Sequence, residues 1–299
     1  MTMPNFLIIG AAKAGTTSLY HYLKQHPQIY MSPIKEPKFF AFEGEKLEFR
    51  GPNDREINRR AITNIDTYRT LFKKASNESA IGEASNLYLY NLKAPGRIRH
   101  YVPRVRLVAI LRNPVDRAYS NFLYMHRRQL EPLPDFIQVL REEETRIHNN
   151  WSPIWHYKQR GFYYIQLQRY FDLFDPIQIK VCLYEDLNTN PINLIQSICQ
   201  FLGVDETFTP NVSTKHNISG LPRIKFLHYF SRKSKPIKSI VKQFLPVNLR
   251  DRISTYLRDM YSVKPPLPWE VRQQLIKEYR EDILKLQELI QRDLSGWLE

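Results

Sequence analysis

The chain has 299 residues, enough to bury a sizeable core, and its 42% hydrophobic and 13% aromatic content suits a globular protein. Lys+Arg 44 against Asp+Glu 30 leaves a net charge of +14, which favours anionic ligands without choosing among nucleotide, sulfated glycan, nucleic acid and acidic lipid. The only two cysteines, Cys182 and Cys199, sit in the apolar strings IKVCLY and IQSICQFL, which excludes a disulfide framework and reads as two buried free thiols.

The first apolar run, 6–9, reads as a buried strand, and a glycine-bounded loop follows it before a helical pattern at 16–25. A weaker strand is expected at 29–31, a helix at 68–74 and a second strong strand at 80–82. Another strand at 107–111 precedes helices at 114–128 and 135–148, where Asn113 before Pro114 is a cap followed by a first-turn proline. A helix at 162–171, a strand at 179–183 and a helix at 192–202 closed by Gly203 complete the alternation. The predicted fold class is α/β: a single P-loop-like domain with a central parallel sheet of about five strands flanked by helices.

Two C-terminal stretches stand apart. Residues 222–264 hold eleven Lys/Arg and two Asp among Phe, Leu, Tyr and Ile. They read as a basic lid, an acceptor-side surface, a membrane-surface segment or solvated helix faces. Residues 269–298 form a helical C-terminal extension, with Val271, Leu275, Tyr279, Ile283, Leu286 and Ile290 at steps of three and four. The segment before Gly10 holds a short strand rather than a secretory or membrane-spanning run, so the expectation is a cytoplasmic chain.

The loop GAAKAGTTS at 10–18 carries the chemistry. Its spacing Gly10-x4-Gly15 is that of the phosphate-binding loop, in which amides and a helix N-terminus cradle phosphate. Thr16 stands where a nucleoside-triphosphatase has its lysine, and Lys13 lies inside the loop instead. Glu83 follows the predicted strand at 80–82, and Arg112 ends the strand at 107–111, with Ser120 one to two turns into the next helix. In a parallel sheet all three places fall near carboxyl ends of strands, where ligands bind. An arginine with a hydroxyl suits an extra phosphate rather than magnesium.

At these residues the chain resembles the sulfotransferases that use 3′-phosphoadenosine 5′-phosphosulfate (PAPS). The likeness is to the carbohydrate branch, with its heparan sulfate N- and 3-O-sulfotransferase domains and bacterial relatives. It is carried by FLIIGAAKAGTTSL at 6–19, KEPKFF at 35–40, GEAS around Glu83 and LRNPVDRAYSNF at 111–122. The resemblance implies that Lys13, Ala14, Gly15, Thr16, Thr17 and Ser18 hold the 5′-phosphosulfate. It further implies that Arg112 and Ser120 hold the 3′-phosphate, that Arg223 closes over the nucleotide, and that Glu83 is the catalytic base.

Sulfuryl transfer fits these residue types. A carboxylate takes the acceptor proton, and Lys13 stabilises charge on the departing oxygen. KEPKFF is expected as a loop over the cleft, with Lys35 touching acceptor or sulfuryl group. The reaction needs no metal, and no ligand spacing for one is seen. The expected acceptor is a hydroxyl of a carbohydrate or glycoconjugate, including an anionic one, and no nucleic-acid partner is expected. Plainer readings stand beside these: Glu83 as a buried partner of Lys13, Lys35 or an arginine, His126 as a surface histidine, and Tyr119, Tyr124, Trp151, Trp155 and Tyr157 as core rather than sugar cleft. Two other functions compete, a P-loop kinase or ATPase and a non-catalytic polyanion-binding module working through 222–264.

Overall fold

The computed structural model describes residues 2–213, 221–222, 262–263 and 265–299. β1 (Phe6–Gly10) leads into α1 (Thr16–Leu23) and β2 (Ile29–Met31). Then come α2 (Phe39–Phe42), α3 (Asp54–Arg60), α4 (Ile65–Thr70), β3 (Ala80–Ala84), α5 (Ala94–Tyr101) and β4 (Arg106–Leu111). The second half runs α6 (Pro114–Arg127), α7 (Phe136–His148), α8 (Tyr163–Phe171), β5 (Ile179–Leu183), α9 (Tyr184–Thr189) and α10 (Pro191–Leu202). A short antiparallel pair, β6 (Leu221–Pro222) with β7 (Ser262–Val263), and the long α11 (Trp269–Ile290) complete the set.

Five parallel strands make the main sheet in the order β2-β3-β1-β4-β5. Every residue of β1 is buried, which a central strand covered by helices on both faces requires. The chain builds to one side of β1 with β2 and β3, then crosses to β4 and β5. The carboxyl ends of β1 and β4 therefore flank the point where the winding reverses, where a crevice opens. All five expected strands are present, and β3 runs two residues further than expected, so that Glu83 is inside the strand and pairs in register with Leu7.

Local chemistry explains the boundaries. The Asn113 side chain accepts from the amides of Val115 and Asp116, and Pro114 occupies the first helical turn of α6. Gly203 closes α10 in the left-handed conformation. The expected helix at 68–74 is displaced to α4, because Asn64 accepts from the amides of Asp66 and Thr67 and starts the helix earlier.

The expected C-terminal helix is present as α11, ends at Ile290, and gives way to a 3-10 turn at Ser295–Trp297. It packs Val271, Leu275, Ile276, Tyr279, Ile283 and Leu286 inward, and Asp282 accepts from the Tyr164 amide at 3.0 Å. Each such buried side chain contributes roughly 1.5–3 kcal/mol. Both cysteines are buried free thiols. Among the described residues no helix is long and apolar enough to cross a membrane. The basic stretch 223–261 and Arg223 within it lie outside the described residues.

Candidate active site

Residues 11–15 leave β1 and turn over the carboxyl end of the sheet. The amide of Ala11 donates to the Ile110 carbonyl at 2.7 Å, which stitches the loop to β4. Lys13 adopts φ 66 and Gly15 φ 104. A Cβ on Gly15 would meet Leu187 Cδ2 at 2.6 Å as well as straining the backbone, so only glycine fits there. Helix α1 starts at Thr16 with no side-chain cap, leaving its first amides for a ligand.

A cavity of about 690 Å³ opens beside this loop, lined by Lys13, Gly15, Thr16, Thr17 and Ser18. Arg112 enters from the end of β4, donates to the Lys13 carbonyl at 3.2 Å and stacks on the Tyr184 ring at 4.5 Å. The Lys13 ammonium sits 4.2 Å over the ring of Tyr124. Burial, with Arg127 and Arg112 nearby, pulls that ammonium down to about 7. An anion bound here would restore its charge.

The carboxylate facing this cavity is Glu36, which sequence reading passed over in favour of Glu83. Glu36 adopts φ 63, and its amide donates to the Ala84 carbonyl at 2.9 Å, placing the 35–38 turn against the end of β3. Its Oε1 accepts from Lys35 at 3.0 Å and from Asn86 at 2.5 Å, and its Oε2 lies 3.8 Å from Lys38. Burial alone would push the carboxyl up. Lys35, Lys38 and Arg160 outweigh burial and hold it below the usual carboxylate range, ionised at neutral pH. Arg160, itself buried, donates to Asn86 Oδ1 at 3.0 Å and completes a chain of polar groups along the wall. Lys35, Glu36, Lys38, Asn86 and Arg160 all line the cavity.

Glu83 is elsewhere. It is 0% exposed, and its Oε1 accepts from the hydroxyls of Tyr88 at 2.5 Å and Tyr68 at 3.3 Å. It does not line the cavity, and it makes no ion pair with Lys13, Lys35 or an arginine among the described residues. Glu83 lies within β3, and its side chain enters the protein between Tyr68 of α4 and Tyr88 after β3. Ser120 and Ala14 are likewise buried and off the described cavity wall, so Ala14 offers its backbone alone.

KEPKFF is a turn as expected, but its two phenylalanines open helix α2. Tyr119, Trp155 and Tyr157 are core, Tyr124 lines the cavity, and His126 stacks on Phe122 at 5.7 Å. Among the described residues no cluster of three His, Cys, Asp or Glu is placed to hold a metal ion.

The donor set of loop amides, one loop lysine and one strand-end arginine suits a nucleotide carrying several anionic groups. It lacks the features of a triphosphatase, since β4 ends in Leu111 and Arg112 rather than an acid.

Comparison with known proteins agrees with this reading. The sulfotransferase family profile matches residues 4–210. A crystal structure of a sulfotransferase from Alicyclobacillus acidocaldarius superposes over 100% of both chains, with TM-score 0.79 and 32% identity. The bifunctional heparan sulfate N-deacetylase/N-sulfotransferase 4 of Mus musculus is 28% identical over 296 residues, 92% of this chain and 32% of its own length. Human carbohydrate sulfotransferase 15 is 26% identical over 248 residues, 68% of this chain and 44% of its own. The chain thus spans about a third of the length of the bifunctional relative and under half of the other.

Proposed function

The chain belongs to the sulfotransferase family, and from that premise we propose that it transfers the sulfuryl group of PAPS to a hydroxyl of a carbohydrate. The observation that carries the proposal is one cavity lined both by the Lys13 loop and by an ionised carboxylate, Glu36. Support for a carbohydrate acceptor comes from relatives named for heparan sulfate and carbohydrate sulfation.

The roles follow from position. Amides of Thr16, Thr17 and Ser18 bind the 5′-phosphosulfate, with Lys13 beside them. Arg112, reaching the same cavity from β4, binds the 3′-phosphate, with its guanidinium resting over the Tyr184 ring. Glu36 takes the acceptor's hydroxyl proton as the acceptor oxygen bonds to sulfur and the bond from sulfur to the phosphate oxygen breaks. Lys13 donates to that departing oxygen as negative charge grows on it, a contribution of roughly 2.7–4 kcal/mol by comparison with oxyanion donors. A carboxylate held below its usual range is a weak base in the empty cavity. The negative charge of the donor, once bound, raises it toward a useful value. Lys35 orients Glu36 through their 3.0 Å hydrogen bond and faces the transferring group.

The test is transfer of label from PAPS to a panel of heparosan, chondroitin, de-N-sulfated heparin and simple nitrophenyl glycosides, with calorimetry of adenosine 3′,5′-bisphosphate (PAP) alongside. Tight PAP binding with label on a sugar hydroxyl is the expected result. A protein that binds neither PAP nor PAPS sinks the proposal, and label on the free amine of de-N-sulfated heparin alone overturns the hydroxyl assignment.

A further inference from the structure

The turn that carries Glu36 is costly to hold. Glu36 and Lys38 both lie in the left-handed region, at φ 63 and φ 60, without the freedom of glycine. Three amides of this segment donate to the end of β3 and the residues just after it, and the Pro37 carbonyl accepts from the Ile62 amide at 3.2 Å. The Ala84 carbonyl accepts from Glu36, the Ser85 hydroxyl accepts from the Lys38 amide at 3.0 Å, and the Tyr88 hydroxyl accepts from the Phe40 amide at 3.4 Å. Phe39 stacks on Tyr68 at 4.4 Å, and Phe40 meets both Tyr68 and Tyr88 edge-on. The two tyrosines that grip these phenylalanines share one partner, Glu83 Oε1.

Resting on the sulfotransferase reading above, we infer that Glu83 is a positioning residue, which fixes the Glu36 turn through Tyr68 and Tyr88 without touching either reactant. Its ionised carboxylate directs the Tyr88 O–H toward itself, leaving a lone pair of Tyr88 for the Phe40 amide. Its second oxygen, Oε2, is buried with no hydrogen-bond partner among the described residues. A buried acceptor left so is costly for a group that serves packing alone. The charged and polar groups facing Glu83 are Tyr88 and Ser85 beyond β3, Tyr68 of α4, and Glu36 itself. Burial pushes the Glu83 carboxyl up to about 7 against the hydrogen bonds that lower it.

Hydrogen–deuterium exchange on the full chain tests this, comparing wild type with Glu83→Gln and Tyr88→Phe. Protection at the amides of Glu36, Lys38 and Phe40 should fall about tenfold in both variants, while the β1 amides stay unchanged. PAP affinity should stay within about twofold in both variants, and any detected transfer to heparosan should fall in kcat rather than rise in KM for PAPS. Should Glu83→Gln fail to fold, Glu83→Asp decides, because it draws the carboxylate back from both tyrosine hydroxyls while Tyr88 keeps the hydroxyl that meets the Phe40 amide. Equal protection of the turn in wild type and variants overturns the inference. Exchange is read without donor or acceptor, so a protein that binds PAP but transfers nothing counts against the proposed function and leaves the positioning role standing.

Discussion

At the proposed nucleotide end of the cavity, the ligand-facing groups come from one short loop and one strand terminus: Ala12, Lys13 and Gly15 to Ser18, with Arg112. At the proposed acceptor end they come from scattered places: Lys35, Glu36 and Lys38 on a strained turn, Asn86 after β3, Tyr124 on α6, and Arg160 in the turn before α8. The first end relies on main-chain amides, whose direction follows from a strand–loop–helix path. The second relies on side chains, whose direction follows from what packs behind them. A phosphate site can therefore be read from spacing, whereas an acceptor site is assembled by contacts between distant segments.

The sharpest way to break this division is Glu36→Gln. It should lower sulfuryl transfer by about 10²–10⁴-fold and leave PAP affinity unchanged, read by single-turnover transfer and calorimetry. A comparable loss of PAP binding would show that the two ends are not separate.

Lys13→Met comes next, with kcat down about 10²–10³-fold. It also carries a pH signature. The free ammonium titrates at about 7 and must be charged to meet an anion, so wild-type affinity for PAP is full below that pH. Above it, affinity should weaken by up to about tenfold per pH unit, and Lys13→Met should flatten that slope. The ligand's own phosphates are already dianionic there and add nothing to it.

Arg112→Ala should act on one phosphate alone. The preference for PAP over adenosine 5′-phosphate should shrink by roughly 10–100-fold, in the range of a charged hydrogen bond, with acceptor KM unaffected. The smallest effect belongs to Asn113→Ala. Loss of this cap costs about 1 kcal/mol and lowers Tm by about 2–4 °C, and because neither end moves, the kinetic constants should hold.

The carboxylates show why one end was legible in the sequence and the other was not. Glu83 stands in GEAS and Glu36 in KEPKFF, both acidic residues near strand ends, and nothing in their spacing separates a cavity-facing group from a buried one. What separates them is the surroundings each meets in the fold: β3 continues through Ala84 and holds Glu83 against Tyr68 and Tyr88, while the turn at 35–38 leaves Glu36 at the cavity. Arg160 was missed for a similar reason. It carries no motif, and only the packing of residues 151–160 against Asn86 brings it to the wall.

The sequence by itself determined the alternating strands and helices, the caps at Asn113 and Gly203, the buried thiols and the phosphate loop. Each of these is set by chemistry within a few residues: apolar runs, a left-handed glycine, a side chain bonding to nearby amides. Tertiary structure decided which carboxylate faces the cavity and which lies behind it, and which cations surround it. Those outcomes depend on side-chain direction and on burial among segments up to about 120 residues apart, such as Glu36 and Arg160, and no local pattern encodes either.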